Sequence, residues 1–225
     1  TPQKVEVWRA LTRTEVAADW AENLSGGTAR QRYVWPPTVE AAGESVPGYY
    51  LAAALAAYTT SVAPHQSIRN LGFAGFDGAA MSTTSFNNAQ LNALAAAGAV
   101  IVTVADDGAL YTAVARTPDR SSAALGEDSV QRAADAVRYV LYGRISQFFG
   151  QSNLTASTLS MIRGEIQSAM SLMRSGETVP RLGPLVDDIT LTELRVHATM
   201  PDRLVATFAV TLTYPVNEST IILVI

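Results

Sequence analysis

Two histidines, His65 and His197, are the side chains best suited to proton transfer near neutral pH, and the chain holds no cysteine. A Ser-His-Asp arrangement could recruit Ser67, Ser82 or Ser85, but no G-x-S-x-G nucleophile elbow occurs. Neither histidine has a second ligand at i+2 or i+4, so the spacing of a zinc site is missing. Gly72-x-x-Gly75-x-x-Gly78 departs from the G-x-G-x-x-G of a dinucleotide cradle and reads as tight turns. Three pairs of adjacent carboxylates remain. Asp106-Asp107 opens a turn, Glu127-Asp128 sits in a helix's first turn where the dipole favours it, and Asp187-Asp188 precedes a strand. Paired-carboxylate chemistry would need such groups gathered in a cleft. The residues predict no enzyme, no cofactor and no metal.

The feature most in need of a partner is the ending. Leu204 to Tyr214 alternates with the period of a β-strand: Leu204, Ala206, Phe208, Val210, Leu212 and Tyr214 share one face. Pro215 stops the ladder. After the polar residues Asn217, Glu218, Ser219 and Thr220 come Ile221, Ile222, Leu223, Val224 and Ile225. A strand with five aliphatic residues in a row has no polar face, so both faces must be covered. Left bare, it would invite aggregation. It is either a buried strand of its own domain or a strand donated to a neighbouring subunit's sheet.

At 225 residues the chain can build one large domain or two small ones. Its net charge of −4, without a basic cluster, argues against a nucleic-acid partner. No apolar run approaches a membrane span, and Thr1-Pro2-Gln3-Lys4 has no signal-peptide core. Without an initiator methionine, a processed chain or a piece of a longer one is expected. All basic residues but Lys4 are arginine, a bias matched by heavy alanine use. Arg132, Arg138, Arg144, Arg163 and Arg174 fall on two long helices. They form either a solvated face with Asp135 or Glu165 as neighbours or an electrostatic patch for a partner protein.

The elements that must position these residues are of α/β (α+β) type. Val5–Leu24 reads as a helix, Gln31–Trp35 as a strand, 39–44 as a loop, and Pro47 as the first residue of a helix running to Val62. A strand at Leu71–Phe73 and a helix capped by Asn87 or Asn88 and stopped at Gly98 follow. The strand 99–104 turns through Asp106-Asp107-Gly108 into 109–116. Beyond Thr117 come the long helices 127–149 and 155–174, the second with Gly176 as C-cap. A strand over 189–200, whose pattern shifts near Glu193, reverses at Pro201-Asp202 into the Leu204 strand. Mixed sheets flanked by helices are therefore expected, with two long helices before a C-terminal antiparallel strand pair and a terminal strand.

In this order the features resemble the contractile tail sheath proteins of bacteriophages and related injection machines. Arg32-Tyr33-Val34-Trp35-Pro36-Pro37 is similar to the strand-then-proline segment of the family's larger domain. Val46-Pro47-Gly48-Tyr49-Tyr50-Leu51-Ala52-Ala53 resembles its alanine-rich helix, and Pro64 to Phe73 its "P-x-x-S … N … L/G" connection. Leu94-Ala95-Ala96-Ala97-Gly98-Ala99-Val100-Ile101 is similar to the helix ending before an apolar strand. Asp107-Gly108 through Thr117, then Arg132, Asp135 and Phe149-Gly150-Gln151-Ser152-Asn153, continue the likeness.

The resemblance implies the C-terminal portion of such a protein, with the front half and the family's N-terminal partner strand missing. Residues 1–117 would be part of the larger sheath domain, 118–216 the conserved inner, tube-facing domain, and 217–225 a hinge and exchange strand. Asn217 and Glu218 would form the hinge. Ser219, Thr220, Ile221, Ile222, Leu223, Val224 and Ile225 would form the donated strand, and Gln151, Asn153, Arg163 and Arg174 would contact the tube. The implied role is structural: polymerisation with copies of itself around an inner tail tube, and contraction that drives the tube through a target envelope. Baseplate and terminator proteins would be further partners, with no nucleic acid bound directly and no membrane insertion. The place would be a virion tail assembled in the bacterial host cytoplasm. A baseplate or other tail protein with a sheath-like domain is the nearest alternative, and an α/β enzyme with a dispersed active site the next.

Overall fold

Arg32 sits in the middle of a strand whose neighbours Val34 and Trp35 are buried, and its own side chain is buried too. The computed structural model that shows this describes residues 7–10, 30–76, 88–104, 109–119, 121–122, 126–176 and 184–214. Those residues divide into two units. The first takes the described parts of Thr1–Val62 and Gln66–Gln131, the second those of Ala63–His65 and Arg132–Pro215.

The first unit is built on a five-stranded mixed sheet in the order β1-β2-β6-β7-β5. β1 (Val7–Ala10), β2 (Gln31–Trp35) and β6 (Ala99–Val104) run parallel, and β7 (Leu110–Val114) and β5 (Gly72–Phe73) continue antiparallel. β6 reads Ala-Val-Ile-Val and is buried along its first four residues, as expected of a central strand covered on both faces. Helix α1 (Tyr49–Ser61) buries Leu51, Ala52, Leu55 and Thr59, and α2 (Asn88–Ala97) buries Leu94, Ala95 and Ala97. Both helices feed one apolar core with Val34, Trp35, Ile68 and Leu110.

Two corrections fall at the front of the chain. Val7–Ala10, expected within a helix, forms β1 in register with β2; residues 11–29 lie outside the described residues. Residues 39–44, expected as a loop, lie in a hairpin of β3 (Thr38–Ala41) and β4 (Glu44–Pro47). Its two turn residues, Ala42 and Gly43, both have positive φ, the requirement of a tight I′ connection. Pro47 therefore closes β4 instead of opening the helix, and Gly48 stands at the N-cap. Gly48 donates its N–H to the Pro37 carbonyl at 2.6 Å, so close that a Cβ would lie 2.5 Å from the Pro36 oxygen. The Trp35–Pro36 peptide bond is cis.

Gly98 joins α2 to β6 at φ +97, and a methyl there would overlap the Thr117 carbonyl. Only glycine meets both demands. Opposite Val102 in the sheet, Thr112 is fully buried, and its Oγ1 has no hydrogen-bond partner among the described residues. Its backbone is satisfied, donating to Leu71 O and accepting from Asn70 N. Thr112→Val keeps the shape and removes the orphan hydroxyl. It should stabilise the protein by about 1 kcal/mol, read as a rise of a few degrees in the melting temperature.

The second unit holds most of α3 (Asp128–Ser146), then α4 (Ala156–Ser175), β8 (Val186–Val196) and β9 (Leu204–Leu212). α4 is a well-marked helix. Thr155 caps it by accepting from Thr158 N at 3.2 Å, and Gly176 ends it at φ +72. Its buried stripe is Ile162, Ile166, Ala169, Met170 and Met173, and Leu159, which the helical period places on the same face, is half-buried. On α3 the stripe is Ala133, Val137 and Leu141. β8 and β9 make a two-stranded antiparallel ribbon, with a register shift between Leu191 and Glu193 where the pattern predicts one. Asp187 and Asp188 lie inside β8, not before it. The ribbon reverses at Pro201-Asp202, where Arg203 N–H donates to Met200 O at 3.0 Å.

Candidate assembly interface

A two-stranded ribbon has two outer edges, and its inner face must rest on something. In the second unit Val186, Ile189, Leu191 and Leu194 of β8 and Leu204, Phe208 and Leu212 of β9 join the core made by α3 and α4. The covering is uneven. Below β8, α4 contributes Ile162, Ile166, Met170 and Met173, all buried. Beside β9 lies instead an open groove of 590 Å³. Its floor is Leu141, Tyr142, Ile145 and Phe149 from the end of α3 and the loop after it, and its wall is Leu204, Ala206 and Phe208. Tyr142 and Phe149 meet edge to face at 6.0 Å, and both remain about half exposed. Tyr139, three residues before Tyr142 on α3, is 79% exposed. β9 has no partner but β8 among the described residues.

The β8 side differs in chemistry. Arg163 and Gln167 of α4 line a polar groove of 320 Å³ with Thr190, Thr192 and Glu193. Arg174, eleven residues and three turns from Arg163, lies on the same flank. It reaches Asp188 of β8 at 3.7 Å. Arg138 pairs with Asp135 at 3.2 Å and Arg144 with Glu165 at 3.3 Å, both on the solvated face that was one of the two expectations for these arginines. Arg132 departs from that reading: it is buried, and its Nη1 donates to the Ala63 carbonyl at 3.3 Å.

Gln151 and Asn153 are exposed in the connection between α3 and α4, and Arg163 and Arg174 are exposed on α4. Asn217, Glu218 and Ser219 to Ile225 lie outside the described residues, as do Asp106 and Asp107. His197 follows β8 in the reversing turn, not on a strand face, where Thr199 N–H points to its Nδ1 at 3.3 Å. His65 is buried. Among the described residues no group of three or more His, Asp or Glu could hold a metal, and no helix is long and apolar enough to cross a membrane.

The interaction that sequence reading missed lies in the first unit. Arg32 Nε donates to Asp128 Oδ1 at 2.6 Å, with both side chains almost wholly buried. Arg32 Nη1 also donates to the Gln31 carbonyl at 3.0 Å. The pair ties β2 to the first turn of α3 across 96 residues of sequence, a separation no local signal spans.

Neither a protein-family model nor a curated protein sequence matches the chain. Solved structures do. The sheath complex of an extracellular contractile injection system (PVC) in its contracted state aligns with 95% of this chain and 60% of its own, with a TM-score of 0.69 at 14% identity. The contracted helical sheath of the anti-feeding prophage aligns over 89% and 56%, with a TM-score of 0.65 at 15% identity. A sheath tail protein of Desulfitobacterium hafniense aligns over 89% and 51%, with a TM-score of 0.59 at 16% identity. This is the contractile sheath fold. The chain spans about half the length of two of these sheath chains. The α+β architecture expected from sequence, with two long helices before an antiparallel pair, is the sheath fold's architecture here.

Proposed function

We propose that this chain is the C-terminal part of a contractile sheath subunit, a structural protein that polymerises helically around an inner tube and contracts to drive it through a target envelope. One observation carries the reading: a largely apolar groove lies beside β9, which has no strand partner but β8 among the described residues, and the sequence holds the all-aliphatic run Ile221 to Ile225. A strand added to β9 would set its inward side chains over Tyr142, Ile145 and Phe149. Ser219, Thr220, Ile221, Ile222, Leu223, Val224 and Ile225, swung on the Asn217-Glu218 hinge, supply that strand to a neighbouring copy. Main-chain hydrogen bonds give the strength, and alternate side chains filling the groove give the register. A hinged strand can follow its host through a rigid-body rearrangement, so copies stay linked during contraction. The domains in this reading are 1–117, 118–216 and 217–225.

Gln151, Asn153, Arg163 and Arg174 face the tube in this account, the two arginines meeting acidic groups on it. Reversing Arg163 and Arg174 to Glu should then prevent assembly on tubes while sparing self-association. Unchanged assembly on tubes would remove that assignment. Negative-stain electron microscopy of the concentrated protein tests the function itself. Hollow, cross-striated cylinders are the expected result. Dispersed particles, even with tube protein added, would contradict it and favour a baseplate component that forms rings or caps.

A further inference from the structure

Arg69 and Arg116 open onto one polar cleft of 260 Å³ in the first unit, with Asn92 at its rim. Neither arginine forms an ion pair among the described residues. The one acidic residue lining the cleft, Glu127, accepts a hydrogen bond from Ser129 Oγ at 3.3 Å. Glu127 also stands opposite Arg116 in an isolated antiparallel bridge, so two guanidiniums against one carboxylate leave the cleft a net positive charge on a chain whose net charge is −4.

The same unit carries an acidic counterpart elsewhere. β3 and β4 form a separate two-stranded sheet, and its tip, from Ala42 to Ser45, is exposed. Glu40 and Glu44 flank the tip, and neither forms an ion pair among the described residues. Glu44 stands opposite Ala41 and Glu40 opposite Ser45. The two carboxylates thus leave the hairpin on opposite faces. A tip entering the cleft offers one carboxylate to each guanidinium, and a guanidinium fork suits a carboxylate better than any other donor.

We infer that the Arg69–Arg116 cleft receives the Glu40–Glu44 hairpin of a second copy of this chain. The two patches are different surfaces of one subunit, so the contact is heterologous and need not close on itself. Such a contact extends an open helix, which is why the inference rests on the sheath reading and adds a second link to it. The groove beside β9 takes an apolar strand; this cleft sets which copy lies alongside by charge.

Charge reversal tests it by the threshold concentration for polymer, read by light scattering and sedimentation. Arg69→Glu with Arg116→Glu should raise the threshold at least about tenfold, and so should Glu40→Arg with Glu44→Arg. The fourfold variant should recover assembly, and so should an equimolar mixture of the two double variants, whose copies alternate. Reversals that leave the threshold within about twofold would overturn the inference while the sheath reading stands, and so would a fourfold variant with no recovery. Reversals that block addition to tubes but not self-association would also overturn it, by assigning the cleft to a different acidic partner. A wild-type chain that never polymerises would sink the sheath reading at the control and this inference with it. Should a Glu variant misfold by circular dichroism, Arg69→Gln with Arg116→Gln removes the charge without repulsion and gives the same decision.

Discussion

A chain ending at Glu218 should stay folded and monomeric while losing assembly, its polymer threshold rising at least about a hundredfold. The lost segment, Ser219 to Ile225, holds five consecutive aliphatic residues. Burying them is worth roughly 1.5–3 kcal/mol each, an upper estimate because the unfolded tail already hides some surface. Even half of that total exceeds the change of about 2.7 kcal/mol asked for. The second unit should not notice the loss, because α3, α4, β8 and β9 supply its core among the described residues. Circular dichroism and size-exclusion chromatography therefore read one property, and light scattering the other. A truncated chain that unfolds or precipitates would mean that the tail is an internal strand of its own domain. Replacing Phe208 by Asp, which places a charge on the groove wall, should reproduce the assembly defect in part with the tail intact.

Breaking the buried Arg32–Asp128 pair should have the largest effect on stability. Asp128→Ala takes the carboxylate at 2.6 Å away from a guanidinium with almost no solvent contact. Removing one partner of such a pair costs about 3–5 kcal/mol, a large share of the 5–15 kcal/mol that typically holds a domain together. The Gln31 carbonyl, accepting from Nη1, offsets only part of this. Removing both charges is a different experiment. Arg32→Met with Asp128→Leu fills the same space with apolar atoms and should recover most of the loss. Trp35 is buried in the core of the first unit, so its fluorescence follows that unit's unfolding in urea. Equal losses for the single and double variants would show that packing volume, not uncompensated charge, is what matters at this position.

Where sequence and structure agree, one period dominates. The α4 stripe and the alternation of β9 are each long enough for a single repeat to decide the element, and the cap at Thr155 and the stop at Gly176 bracket the helix chemically. Disagreement arises in short segments. Val7–Ala10 carries helix-compatible spacing with its neighbours, yet pairing with β2 decides its form. The β3–β4 hairpin was hidden because Ala42 fills a left-handed turn position where Asn, Asp or Gly would have announced it.

The site was legible by half. An apolar ending demands a host, and Ile221 to Ile225 state that demand openly. The groove proposed to receive it is not visible in the chain order, because Tyr142, Phe149 and Phe208 line one groove only once α3 lies beside β9. Arg132 was misjudged for a related reason: helical periodicity locates a stripe but does not say that the Ala63 carbonyl waits at its edge.

The donated strand is the central claim, and the absence of cysteine makes it directly measurable. Two tagged versions of the full chain, one with Leu223→Cys and the other with Ala206→Cys, would be mixed under mild oxidation. The account predicts a disulfide joining the two different tags, at high yield in polymer and low yield in monomer, with Leu204→Cys and Phe208→Cys as register controls. A disulfide that forms only within one chain carrying both substitutions, and never between chains, would contradict it and place the tail in its own domain.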